Sequence, residues 1–146
     1  MANQFGFDRV QENIKAMKDD LPKVLANQAQ SFFVKSWANQ AWEGQQWKEV
    51  KRRIVGTPEY KYPKNKGLGR RTKAILVGTG RLRRAVATSI RSQQFNNIRL
   101  VVDLPYAEVI NEGGAHMPKR TFMKDNPTLR GMQGDKIKEF TDKIWK

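Results

Sequence analysis

Residues 48–91 hold fourteen basic and two acidic side chains, a net charge of +12 in less than a third of the chain. Taking an unpaired charge out of water costs several kcal/mol or more. Most of these charges must therefore stay at the surface. The flanks of the stretch differ sharply from it in charge. Residues 1–47 carry five basic and five acidic groups, and residues 92–146 carry nine and seven. Gly44, Gly56, Pro58, Pro63, Gly67 and Gly69 further break any periodicity across 44–72. A connection of that length in a compact domain is commonly functional, or ordered only by a partner.

The remainder can build a core. The chain has 146 residues, of which 38% are hydrophobic and 10% aromatic. That is about one domain's length, sufficient to fold without disulfides or a metal staple, and too aromatic for a disordered tail. There is no Cys, which removes disulfides, thiolate metal sites and a Cys nucleophile. His116 is the sole His, so neither a His-rich metal site nor an acid–base pair is expected. No apolar run approaches the roughly 18–20 residues that span a bilayer, and Met1–Asp8 lacks a secretory pattern. The expectation is a soluble, non-secreted protein with no membrane, metal or cofactor partner.

Phe7, Val10, Ile14, Met17, Leu21, Val24 and Leu25 recur at helical spacing. Asp8 with Gln11 reads as a capping box, placing a helix start near residue 9. Asp20-Leu21-Pro22 predicts an interruption, with Pro22 in the first turn of a second helix that passes Phe32, Phe33 and Trp37 and ends at Gly44. From residue 73 on, Ala74–Val77 is a short apolar run and Gly78-Thr79-Gly80 a turn. A helical turn at 80–84 is predicted to lead into a strand over 85–94, which pairs with Ile98–Val102 in a hairpin. Ala107–Glu112 predicts a helical turn closed by Gly113-Gly114. Residues 115–134 read as loop, and Asp135–Trp145 as a helix burying Ile137, Phe140, Ile144 and Trp145. The fold class is α+β, with N-terminal helices packed on a small antiparallel sheet. As one domain it comprises a helical region 1–43, an extended basic loop 44–73, and a hairpin plus C-terminal helix 74–146.

The chemistry-bearing motifs are weak one by one. Gly78-Thr79-Gly80-Arg81 lacks the third Gly of a dinucleotide loop and the Lys-Ser/Thr of a Walker loop. Trp37, Trp42 and Trp47 do not share a helical face; Trp37 is expected in the core, and Trp47 where the basic loop joins it. Met117–Met123 is either a loop whose Phe122 plugs the core or a docking loop at a subunit contact, since Arg, Phe and Met are enriched at interfaces. The basic residues suit phosphates or an acidic partner, but they form no standard nucleic-acid motif.

Four pieces occur in order: Gly44-Gln45-Gln46-Trp47; Ile75 to Arg83, containing Leu76-x-x-Thr79-Gly80-x-Leu82-Arg83; Leu104 to Gly114, containing Tyr106-Ala107 and Asn111; and Met117 to Met123, containing Pro118-x-Arg120-x-Phe122. Over residues 30–125 this resembles the tailed-phage virion morphogenesis family, the tail completion proteins of the S type. Its members carry Gly-x-x-Trp, Leu-x-x-Thr-Gly-x-Leu-Arg, Tyr-Ala-x-x-His/Asn-x-Gly, and Pro-x-Arg-x-Phe. In this sequence Asn111 stands where many relatives have His, and the 51–73 loop is longer and more basic. The resemblance implies a structural virion protein and no enzyme. It would act late in tail assembly at the head–tail junction, as a ring of copies meeting neighbouring tail and neck or portal-adaptor proteins, with packaged DNA in the lumen. Candidate DNA- or partner-facing residues are Lys51, Arg52, Arg53, Lys61, Lys64, Lys66, Arg70, Arg71 and Lys73. Candidate subunit contacts are Arg81, Arg83, Tyr106, Pro118, Arg120 and Phe122. A stand-alone nucleic-acid-binding protein is the alternative.

Overall fold

A helix of 33 residues, α1 (Phe7–Asn39), runs straight through the position where the sequence predicts two helices to meet. Proline inside a helix removes one hydrogen bond and crowds the preceding turn, at about 3 kcal/mol. Pro22 is retained because its ring is among the most deeply buried side chains, flanked in sequence by buried Leu21, Leu25 and Ala26. Apolar burial outweighs the lost bond. The helix begins two residues ahead of the expected start, with Val10 N–H donating to Gly6 C=O. It ends well before Gly44, where Gln40 takes a positive φ of 47°.

The computed structural model describes residues 6–62 and 72–146. The other elements are β1 (Ala41–Trp42), β2 (Gln45–Gln46), a 3₁₀ turn (Lys51–Arg53), α2 (Pro58–Lys61), α3 (Arg81–Ala87), β3 (Ile90–Gln94), β4 (Asn97–Leu100), α4 (Ala107–Glu112) and α5 (Pro127–Ile144). The class is α+β, with two small antiparallel sheets, β1–β2 and β3–β4. The chain forms two compact units.

The first unit comprises residues 1–32, 89–101 and 125–146. Asn13 Nδ2 donates to Ile144 C=O at 3.1 Å, and Gln28 Nε2 to Met132 C=O at 3.4 Å. The two helices therefore run antiparallel, with Leu21, Leu25, Ala26, Ala29, Leu129 and Ile144 buried. The β3–β4 hairpin completes this unit; Lys18 Nζ lies 6.0 Å over the Phe95 ring near its tip. Helix α5 starts eight residues earlier than the sequence predicts. Buried Asn126 caps it, its Oδ1 accepting from Thr128 N–H at 2.7 Å and Leu129 N–H at 3.1 Å, and Pro127 occupies the first turn. A good cap and a packed face override the weak helix propensity of Gly131 and Gly134. The longer helix also changes its inward stripe to Leu129, Gln133, Lys136, Phe140 and Ile144, all buried or half-buried. Ile137 and Trp145, expected inside, are exposed.

The second unit comprises residues 33–88 and 102–124. Its core is aromatic. The Trp37 ring centroid lies 5.6 Å from that of Trp47, edge-on, and 5.2 Å from that of Phe122. Phe33 stacks on Trp42 at 6.2 Å. Both Trp37 and Trp47 are buried, as the sequence predicts. Glu43 and Gly44 turn β1 into β2 with positive φ at both positions, 50° and 78°, as a two-residue type I′ turn demands. Gly44 thus serves the hairpin and not the helix end. Helix α3 extends to Ala87, through residues predicted as strand: Leu82 and Val86, four apart, are both buried, and that packing overrides β-branched preference.

Trp37→Ala is expected to cost about 3–5 kcal/mol, read from the urea unfolding midpoint of the purified chain. A loss below about 1 kcal/mol would contradict the packing of this indole against Trp47 and Phe122. On α5, Glu139 is exposed, yet hydrogen bonds from Lys136 and then Lys143 hold its carboxyl down to about 2. Because the folded value is depressed, the stabilisation is fully present above the ordinary 4.5 and is lost as pH falls through about 2. A carbon-detected titration should find that midpoint near 2, and alanine at both lysines should return it toward the ordinary carboxylate range.

Candidate functional site

The residues that carry the motif pattern meet inside the second unit. Helix α4 ends next to Asn111, whose Oδ1 accepts from Phe122 N–H at 3.0 Å and Met123 N–H at 3.1 Å. Its Nδ2 donates to Met123 C=O at 3.0 Å. One carboxamide therefore closes the Met117–Met123 segment back onto α4. Elsewhere on that segment, Trp47 Nε1 donates to Thr121 C=O at 2.8 Å. Arg120 donates from both Nε and Nη2 to Lys48 C=O, at 3.1 and 2.9 Å. Gly113 turns the chain with a φ of 85°, and a side chain there would press on the Lys119 backbone, 3.2 Å from its nitrogen. Three of the four motif pieces, around Trp47, Asn111 and Arg120, are thus tied by side-chain-to-backbone bonds. The fourth supplies α3, whose Leu82 and Val86 are buried.

The sequence offers Arg120 and Phe122 as subunit contacts, and the structure gives both another role. Arg120 is 5% exposed and Phe122 2%. Phe122 fills the space beside Trp37, which is the core-plug reading of this loop. Arg120 keeps its charge inside by chelating a carbonyl; burial and the nearby Arg52 lower its pKa, with Glu49 opposing them. Side chains so enclosed have no surface to offer a neighbour. Tyr106, Arg81 and Arg83 are exposed and Pro118 half-buried, so these four retain accessible surface.

The basic loop divides in the same way. Arg52 is half-buried and donates from Nη2 to Lys73 C=O at 3.2 Å and Ala74 C=O at 3.1 Å. Arg53 Nη1 donates to Gln40 Oε1 at 3.3 Å and stands 3.4 Å from Glu49. Gln40 Oε1 also accepts from Ile75 N–H at 3.0 Å. These bonds fasten both roots of the loop to the end of α1. Lys51 is exposed, with its Nζ 3.8 Å from Glu59, and Lys61 is exposed at the end of α2. Lys73 Nζ donates to Gly78 C=O at 3.2 Å. Lys64, Lys66, Arg70 and Arg71 lie outside the described residues.

Two depressions open on this unit. One, of about 710 Å³, is bordered by Lys48, Lys51, Glu59, His116, Pro118 and Arg120. The other, of about 470 Å³, is bordered by Lys73, Gly78, Thr79, Arg83 and Arg84. Among the described residues no three His, Asp or Glu groups gather as a metal site would require, and no helix is long and apolar enough to cross a membrane. No family model matches the chain, and neither a curated protein nor a solved structure matches it.

Gln40 and Asn111 are the residues whose roles sequence reasoning missed. Gln40 carries no local signal, because its partners are 13 and 35 residues away. Asn111 stands out in the sequence only as a departure from the His of the resembling family. Asn111→Ala leaves two backbone N–H groups without their acceptor. It is expected to cost about 2–3 kcal/mol in chemical denaturation, whereas Asn111→Asp, which keeps the acceptor, should cost less. Equal losses from both would show that the acceptor oxygen is not what matters.

Proposed function

We propose that this chain is a structural virion protein of a tailed bacteriophage. It acts in tail completion and head–tail joining as a ring of copies around the DNA conduit, and it is not an enzyme. The observation that carries the reading is that residues matching the resemblance are the ones that close the second unit: Trp47, Asn111 and Arg120 all hold backbone atoms of the segments between which they sit. A pattern kept for a fold would distribute itself in this way.

The charge adds a second support. Between Glu59 and Asp103 there are eleven Lys or Arg and no Asp or Glu. In a ring, such a surface turned inward would meet DNA phosphates, and turned outward an acidic neighbouring ring. The same charge favours the alternative, a stand-alone nucleic-acid-binding protein, and the two differ in what loss of the protein does to particles.

A stop codon at Trp47 in the phage genome is expected to yield filled heads and tails that lie unjoined, or tails of abnormal length, in negative-stain electron micrographs of the lysate. Intact particles in normal numbers would remove the tail-completion reading.

A further inference from the structure

The basic loop is the obvious place to look for a phosphate-binding surface, but the structure commits much of its described part to internal bonds. Arg52 and Arg53 donate to Lys73, Ala74 and Gln40, and Lys51 and Arg53 stand near Glu59 and Glu49. The cations from the loop's last residue onward are in a different state. Lys73, Arg81, Arg83 and Arg84 are exposed. Among the described residues no carboxylate lies within ion-pair distance of any of them, whereas Lys51, Arg53 and Lys119 each have one. The sequence around them offers no acidic residue from 60 to 102.

Lys73, Arg83 and Arg84 border one depression of about 470 Å³, whose remaining wall includes Gly78, Thr79 and Gly80. Two of the three cations are held by the turn itself: Lys73 Nζ donates to Gly78 C=O at 3.2 Å, and Arg84 Nη2 to Thr79 C=O at 3.0 Å. Gly80 makes the second arrangement possible. It has a φ of 73°, and a Cβ there would stand 2.9 Å from Arg84 Nη1. Each bonded group still has N–H donors to spare, since an ammonium carries three and a guanidinium five. Cations gathered without counter-charges repel one another, and an anion between them relieves that repulsion.

From this arrangement we infer that the depression bounded by Lys73, Arg83 and Arg84 binds the phosphate backbone of a nucleic acid, with Arg81 beside it on α3. A polyanion fits better than a lone phosphate for two reasons. The volume far exceeds one phosphate group, and the exposed positive charge continues beyond the depression to Arg81. Contacts of this type are to phosphate and carry no sequence preference. The inference rests on the DNA partner named in the proposed function and assigns that contact to α3, its preceding turn and Lys73 at the loop's end, in place of the other described cations of the loop.

The test uses the purified full chain, a fluorescein-labelled 20-base-pair duplex, and anisotropy at 50 and 200 mM salt. Wild-type protein is expected to bind at 50 mM and to weaken steeply at 200 mM salt. Lys73→Gln with Arg83→Gln should weaken binding at least about tenfold at 50 mM and lower the salt slope by about 2. Lys51→Gln with Lys61→Gln should change affinity less than about twofold. Both pairs are at exposed positions, and unchanged thermal melting certifies that each is folded. Loss in the loop pair with none in the Lys73/Arg83 pair would overturn this assignment while leaving a DNA partner standing. Absence of wild-type binding at 50 mM would overturn the assignment and the DNA partner together. Displacement of the duplex by inorganic phosphate at the same ionic strength, more strongly than by chloride, would overturn the backbone reading in favour of a free-phosphate site. The head–tail junction reading is decided separately, by the particle phenotype.

Discussion

The carboxamide of Asn111 is the contact on which the second unit depends. The Met117–Met123 segment has little regular structure of its own to satisfy its backbone, and a buried amide left unpaired costs about 1–3 kcal/mol. Asn111 supplies an acceptor for two of those amides and a donor for one carbonyl. With the segment so held, Phe122 enters against Trp37, Thr121 C=O reaches the Trp47 indole, and Arg120 reaches Lys48 C=O. These contacts join residues more than 70 positions apart. An imidazole has only one ring nitrogen free to accept when neutral, so a His at this position would close the segment by a different bond pattern.

The second organising constraint is charge. The charges of the basic stretch resist burial, and among its described cations the structure holds two contrasting groups. Arg52 and Arg53 are drawn inward, as Arg120 is, and their forked donors hold backbone carbonyls or a side-chain amide. This is structural use of arginine, whose planar guanidinium suits several acceptors at once. Lys73, Arg81, Arg83 and Arg84 stay outside, with no carboxylate partner among the described residues. A surface of the second kind destabilises itself by repulsion, which the polyanion we propose as its partner would relieve. The inward arginines serve the fold and the outward cations leave their charge at the surface, although nearly all come from one stretch of sequence.

How far the fold was legible follows from the range of each determining interaction. Helix α4 ends where Gly113 predicts, the β3–β4 hairpin forms where turn residues separate two strand-like runs, and Trp37 and Trp47 are buried as large aromatics tend to be. Those signals are local or purely apolar. The departures have tertiary causes. Pro22 reads as a break until its ring is seen buried, α3 reads as strand at Ala85–Ala87 until Val86 is seen in the core, and the start of α5 reads as loop until Asn126 is seen capping it. At the candidate site, the basic residues could be named from sequence, but their division into inward and outward-facing groups could not.

The sequence by itself determined that the chain would be α+β, that its core would be rich in aromatics drawn from outside the basic stretch, and that this stretch would face solvent or a polyanion. Composition and short-range periodicity suffice for these, because burial energy scales with side-chain type and charge resists desolvation wherever it falls. Only the tertiary structure decided which arginines are tied into the fold and which stay exposed. That choice turns on where carbonyls such as those of Lys48 and Ala74 come to lie. Their positions follow from contacts distant in sequence, which no local pattern encodes.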